Sequence, residues 1–155
     1  MQNKEFSIGK LKEAEFTKLF SSSTPSSKEE DMYEHWDIKI DTKIDTKIDI
    51  KSLKKENRSD LTYNENFHYV EIKNVNNDLG WLYGKADYFA FELENYWLIV
   101  DKTRLQDFIK EKCKGKKIGN KKDLYALYRR ENRKDIIVKV KTIDLMFLSN
   151  QIIQK

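Results

Sequence analysis

From Asp37 to Lys51 the chain repeats the tetrapeptide Asp-x-Lys-Ile: Asp37-Ile38-Lys39, Asp41-Thr42-Lys43, Asp45-Thr46-Lys47 and Asp49-Ile50-Lys51. A period of four is a period of two taken twice. An extended chain therefore sends every Asp and Lys to one face, and Trp36, Ile38, Ile40, Ile44, Ile48 and Ile50 to the other. One strand of that length would far exceed the usual span, so the repeat predicts a hairpin turning near Asp41 to Asp45, its isoleucine face packed on a helix. An alternating charged face is also what an ordinary solvated strand carries. The register decides between ion pairs and something less common: Asp37 directly opposite Asp49 would repel unless a cation sat between them.

Glu71-Ile72-Lys73 stands outside the repeat, on a strand predicted over Phe67 to Val75. Residues two apart on a strand share a face, so Glu71 lies beside Lys73 as Asp49 lies beside Lys51. A carboxylate beside an ammonium can hold a divalent cation and position a water next to it. Around these segments the pattern predicts a first helix from Ser7 to Phe20, capped by Ser7 and carrying Glu13 and Glu15. A Ser-rich loop with the sole proline, Pro25, follows over Ser21 to Glu30. Gly80 and Gly84 bracket a short turn bearing Trp81, with Lys85 just after it. Tyr88 to Leu93 and Tyr96 to Val100 read as strands, and Thr103 to Cys113 as a helix. Lys122 to Arg130 reads as a short helix, Asp135 to Lys141 as a strand and Ile143 to Ile153 as a closing helix. The order is that of a mixed α/β domain.

A chain of 155 residues suits one domain, with a core at about 7–101 and a basic extension over about 102–155. The net charge of +4 hides a polarity: residues 102–141 hold fifteen Lys or Arg and five Asp or Glu, a net of +10. An acidic first half and a basic second half suit an enzyme that binds cations and a polyanion. Cys113 is the lone cysteine, which excludes an internal disulfide and a cysteine zinc site. His35 and His68 are too few for a histidine-rich metal cluster. No apolar run reaches membrane-spanning length and the first residues lack the apolar core of a signal peptide, so a cytoplasmic location and no membrane partner are expected.

An acidic helix, an Asp on a second strand, an acidic-x-Lys on a third, and a helix leading to a fourth resemble the PD-(D/E)xK nuclease superfamily. The resemblance covers about residues 9–100. Gly9 followed by Glu13 is similar to the first helix of archaeal-type Holliday-junction resolvases. Glu71-x-Lys-Asn-Val and GWLYGKADYFAFE look like small phage and bacterial proteins of this class. The resemblance implies a restriction-endonuclease-like fold, with a mixed central sheet flanked by helices. It also implies a Mg²⁺-dependent DNA endonuclease in which Mn²⁺ can substitute, and it allows a homodimer. Two assignments follow. In the favoured one, Asp49 and Glu71 hold the metal and Lys73 is catalytic. In the other, Asp37 and Asp49 hold it and Lys51 is catalytic. Glu13 or Glu15 assists from the first helix in either. Trp81, Lys85 and the basic loop residues Lys114, Lys116 and Lys117 are the expected DNA contacts. The sequence departs from the family in lacking a proline before either aspartate.

Overall fold

The computed structural model describes residues 2–41, 45–57 and 59–155, with side chains from 8 onward. Thr42, Lys43 and Ile44 of the repeat lie outside the described residues, and because the first helix already begins at Gln2, Ser7 lies inside it rather than at its cap. Helix α1 (Gln2–Thr17) leads into a short strand β1 (Ser23–Pro25) and a helical turn at Glu30–Glu34. The repeat then supplies β2 (Ile38–Ile40) and β3 (Thr46–Lys51), antiparallel as the alternation predicts, with Ile38 opposite Ile48. Strand β1 pairs antiparallel with β2, so the Ser-rich segment is partly a strand rather than wholly a loop.

Strand β4 (Phe67–Lys73) leaves this sheet, and a 3₁₀ turn at Trp81–Tyr83 brings the chain back to β5 (Tyr88–Glu92). Strand β5 lies parallel to β3, and β6 (Tyr96–Asp101) lies antiparallel to β5. After α2 (Lys102–Lys112) come β7 (Ile118–Gly119), β8 (Leu127–Tyr128), β9 (Ile136–Lys141), α3 (Thr142–Leu148) and β10 (Gln151–Gln154). The described residues thus form a mixed α/β structure of two mixed sheets and three helices. The six-stranded sheet runs β1-β2-β3-β5-β6-β10, and the four-stranded one β4-β9-β8-β7.

The large sheet is covered on both faces. Phe16 of α1 packs with Ile38, Ile48, Ala90, Trp97 and Ile99 on one side. On the other, Phe89, Phe91, Leu98 and Val100 meet Val70, Val138 and Val140 of the small sheet and Leu105 and Leu145 of α2 and α3. A single sheet between helices is therefore replaced by helix, sheet, then a second sheet with two helices. Because Asp49 aligns with Phe89 and Lys51 with Phe91, the charged face of the repeat turns inward at β3 instead of toward solvent.

Two expected helices are corrected. Lys122 to Arg130 forms no helix: Tyr125 adopts φ 58°, a left-handed conformation that a helix cannot accommodate. Leu124 bridges Lys139 beside it, and Leu127–Tyr128 becomes β8. The closing helix stops at Leu148, because Asn150 N–H donates to Ile99 O at 2.8 Å and steers Gln151–Gln154 onto the edge of β6. Among the described residues, no helix is long and apolar enough to cross a membrane.

Candidate functional site

The β2–β3 register builds the site. Where the chain enters β2, next to the Ile38–Ile48 pair, the Asp37 and Asp49 carboxyls approach each other. Asp37 straddles its neighbour: its N–H donates to Ile48 O at 2.8 Å and its Oδ2 accepts the Ile50 N–H at 2.5 Å. Asp49 is only 3% exposed. Its Oδ1 accepts from Lys51 Nζ at 2.8 Å, whereas its buried Oδ2 meets no donor. Two facing carboxylates in a dry site resist ionising together. Burial first, and then the charge of Asp49, pushes Asp37 up to about 7. Burial also pushes Asp49 up, against the charge of Lys51 and hydrogen bonds from Lys51 and the Asp37 carboxyl.

Three further groups border the pair. Lys51 Nζ lies 4.2 Å from the centre of the Trp81 ring. Glu71 reaches in from β4; burial raises it, while the Trp81 backbone N–H, Lys51 and His35 pull it down. Glu13 of α1 is raised by burial and then by the charge of Asp37, and it holds Lys10 at 3.0 Å. Glu15 faces elsewhere, pairing with Lys12 at 3.4 Å and Lys155 at 3.5 Å.

The favoured assignment of Asp49 with Glu71 and Lys73 does not form a pair of neighbouring strands. Strand β4 belongs to the small sheet, where it pairs with β9, and a bulge between Glu71 and Lys73 interrupts its alternation. The ammonium on Asp49 is that of Lys51, and the carboxylate facing it is that of Asp37. Of the expected DNA contacts, Trp81 is half-buried against Phe89, with ring centroids 4.9 Å apart. Lys85 pairs with Glu34 at 3.3 Å, and Lys116 donates to Tyr125 O at 2.8 Å. Lys114 and Lys117 are exposed.

Sequence reasoning missed Glu92 and Asp135. Both are buried, and both are held by cations: Glu92 by Lys12 at 2.7 Å and Lys155 at 2.9 Å, and Asp135 by Arg130 at 2.5 Å. The signal for Glu92 was a lone charge inside the apolar run Phe89-Ala90-Phe91-Glu92-Leu93.

A hard divalent cation fits the carboxylate pair. Mg²⁺ is commonly bound through one or two carboxylates, with waters and phosphate oxygens completing its shell. The donorless Oδ2 of Asp49 is the atom a cation would satisfy. Among the described residues, no group of three or more His, Cys, Asp or Glu converges closely enough to form a closed protein cage. The arrangement is thus an open two-carboxylate site. Comparison with protein families, with curated proteins and with solved structures gives no match for this chain.

Proposed function

We propose that this protein is a divalent-cation-dependent nuclease that hydrolyses phosphodiester bonds of DNA at Asp37, Asp49 and Lys51. The observation that carries the reading is the facing carboxylate pair, with one oxygen left without a donor and an ammonium beside it. The chain order adds support: Glu13 lies on α1, Asp37 just before β2, Asp49-Ile50-Lys51 on β3, and β5 runs parallel to β3. That succession matches what the restriction-endonuclease-like resemblance implies, on the second of its two assignments.

Asp37 and Asp49 would hold Mg²⁺ or Mn²⁺, which when bound lowers the pKa of a coordinated water and neutralises charge on the phosphate. In their ionised forms both carboxylates would supply hard oxygen ligands. Lys51, released from Asp49 Oδ1, presents its ammonium to the negative charge that develops on phosphate oxygens. Lys114, Lys117 and their basic neighbours supply sequence-independent contacts to the backbone. Cation-dependent cleavage of DNA, lost in Asp49→Asn and Lys51→Ala, is the test. The second reading is a non-catalytic DNA-binding module, favoured by the Asp49–Lys51 ion pair, which neutralises both groups without any metal. Binding without cleavage at any Mg²⁺ or Mn²⁺ concentration would select it.

A further inference from the structure

The segment from Glu71 to Gly84 contains motifs that the carboxylate pair does not use. Its geometry converges on one side chain. Gly80 N–H donates to Ile72 O at 2.7 Å, locking the turn against β4. Gly80 is buried, and a Cβ there would lie 2.4 Å from Glu71 O and 2.9 Å from Glu71 Cγ, so only glycine permits the approach. That contact brings the Trp81 backbone N–H to the Glu71 carboxylate. From the other side, Gln106 Nε2 donates to Leu82 O at 2.9 Å and Lys102 Nζ to Gly84 O at 3.1 Å, tying the turn to α2. Trp81 itself stands edge-on to Phe89, the strand partner of Asp49. Its remaining face carries Lys51 at 4.2 Å.

We propose that Trp81 is a positioning residue for the reaction: its indole, carried on a turn whose backbone Glu71 and Gly80 hold and packed against Phe89, seats the Lys51 ammonium beside Asp49. The proposal rests on the nuclease reading for its consequence and on the geometry for its mechanism. A lysine stem has four rotatable bonds and loses side-chain entropy when its head is fixed. An aromatic face attracts the ammonium without taking its hydrogen bonds, so Lys51 keeps its donors for a carboxylate or a phosphate. Glu71 then acts on the turn rather than as a metal ligand, which gives the Glu-x-Lys segment a role without Lys73.

The experiment uses the full chain with Trp81→Phe and Trp81→Leu, each alone and combined with Lys51→Ala. Two measurements are made. The first is the ¹H–¹³C shift of the Lys51 ε-methylene, which the indole ring should move upfield. The second is Mn²⁺-dependent DNA cleavage, separated into kcat and KM. Trp81→Leu should abolish the upfield shift and lower kcat about tenfold with KM unchanged, and Trp81→Phe should restore most of both. In the Lys51→Ala background, Trp81→Leu should add less than about a twofold loss, because the two act as a unit. An unshifted Lys51 methylene in the wild-type protein overturns the seat, whatever the activity. An equal loss from Trp81→Leu with and without Lys51 shows that Trp81 is only part of the core, and overturns the proposal. A shifted methylene with no cleavage on any DNA sinks the nuclease reading, and the catalytic role of the seat with it.

Discussion

Asp37 carries the most information of any residue in the chain. It is half-buried with its carboxyl next to another carboxylate, so its charged form costs stability. Asp37→Asn keeps an oxygen for the Ile50 N–H and removes the repulsion. It should raise stability at pH 8 by about 1 kcal/mol while abolishing activity. Urea unfolding of the two proteins checks this, and a destabilised variant would contradict it. His68 makes the opposite statement on β4. Burial lowers it to about 4 from 6.5, and Glu92 pulls only weakly the other way. A base with a depressed folded pKa binds its proton in the unfolded chain first. Its contribution is therefore complete above about pH 6.5 and is lost as pH falls toward 4, by roughly 3 kcal/mol at most. His68→Phe should flatten that slope relative to wild type in unfolding curves between pH 4 and 7, and unchanged slopes would refute it. The repeat made Asp37 hard to single out from sequence, because it offers four equivalent Asp-x-Lys units. Only the register distinguishes them. Asp41 is taken by Ser22 Oγ at 3.0 Å and Thr24 Oγ1 at 3.3 Å, and Asp45 stays exposed with Lys39 at 3.9 Å.

The strands of the repeat were legible as elements because alternation is a local property. Ile38 and Ile48 are buried against Phe16 as the pattern requires. What alternation cannot report is a second layer on the charged face. The sheet that β4 joins is decided by its pairing with β9, some seventy residues downstream. That non-local choice moved Glu71 and Lys73 out of the strand beside Asp49. Likewise Tyr125, whose left-handed backbone ends the expected helix, is not a residue type that announces such a conformation. The turn between β4 and β5 gives this level its test. Gly80→Ala forces a methyl into the Glu71 backbone, and should cost about 2 kcal/mol or more in thermal or urea unfolding. Gly119 has no atom within 4 Å of an added Cβ. Gly119→Ala should therefore stay within about 0.5 kcal/mol of wild type, and equal losses at both positions would contradict the close approach.

Charge organises the whole molecule as it organises the sequence. Of the buried carboxylates, Asp49 and Glu92 lie on β3 and β5 and Asp135 just before β9, and the lysine excess falls in residues 102–141. If the basic half grips phosphates, replacing Lys114 and Lys117 by Ala should weaken DNA binding uniformly across sequences. It should also reduce the slope of log K against log salt by about two. An unchanged slope in a salt titration would make that segment a solvated loop. The central claim is that the Asp37–Asp49 pair with Lys51 is a hydrolytic centre. It is tested most directly by Mn²⁺-dependent cleavage of duplex, single-stranded and branched DNA by wild type, Asp37→Asn, Asp49→Asn, Lys51→Ala and Lys73→Ala. Wild type and Lys73→Ala should cleave, and the other three should lose at least about a hundredfold in rate. Cleavage that survives Asp49→Asn and Lys51→Ala, or that is absent from wild type on all three substrates, would contradict it.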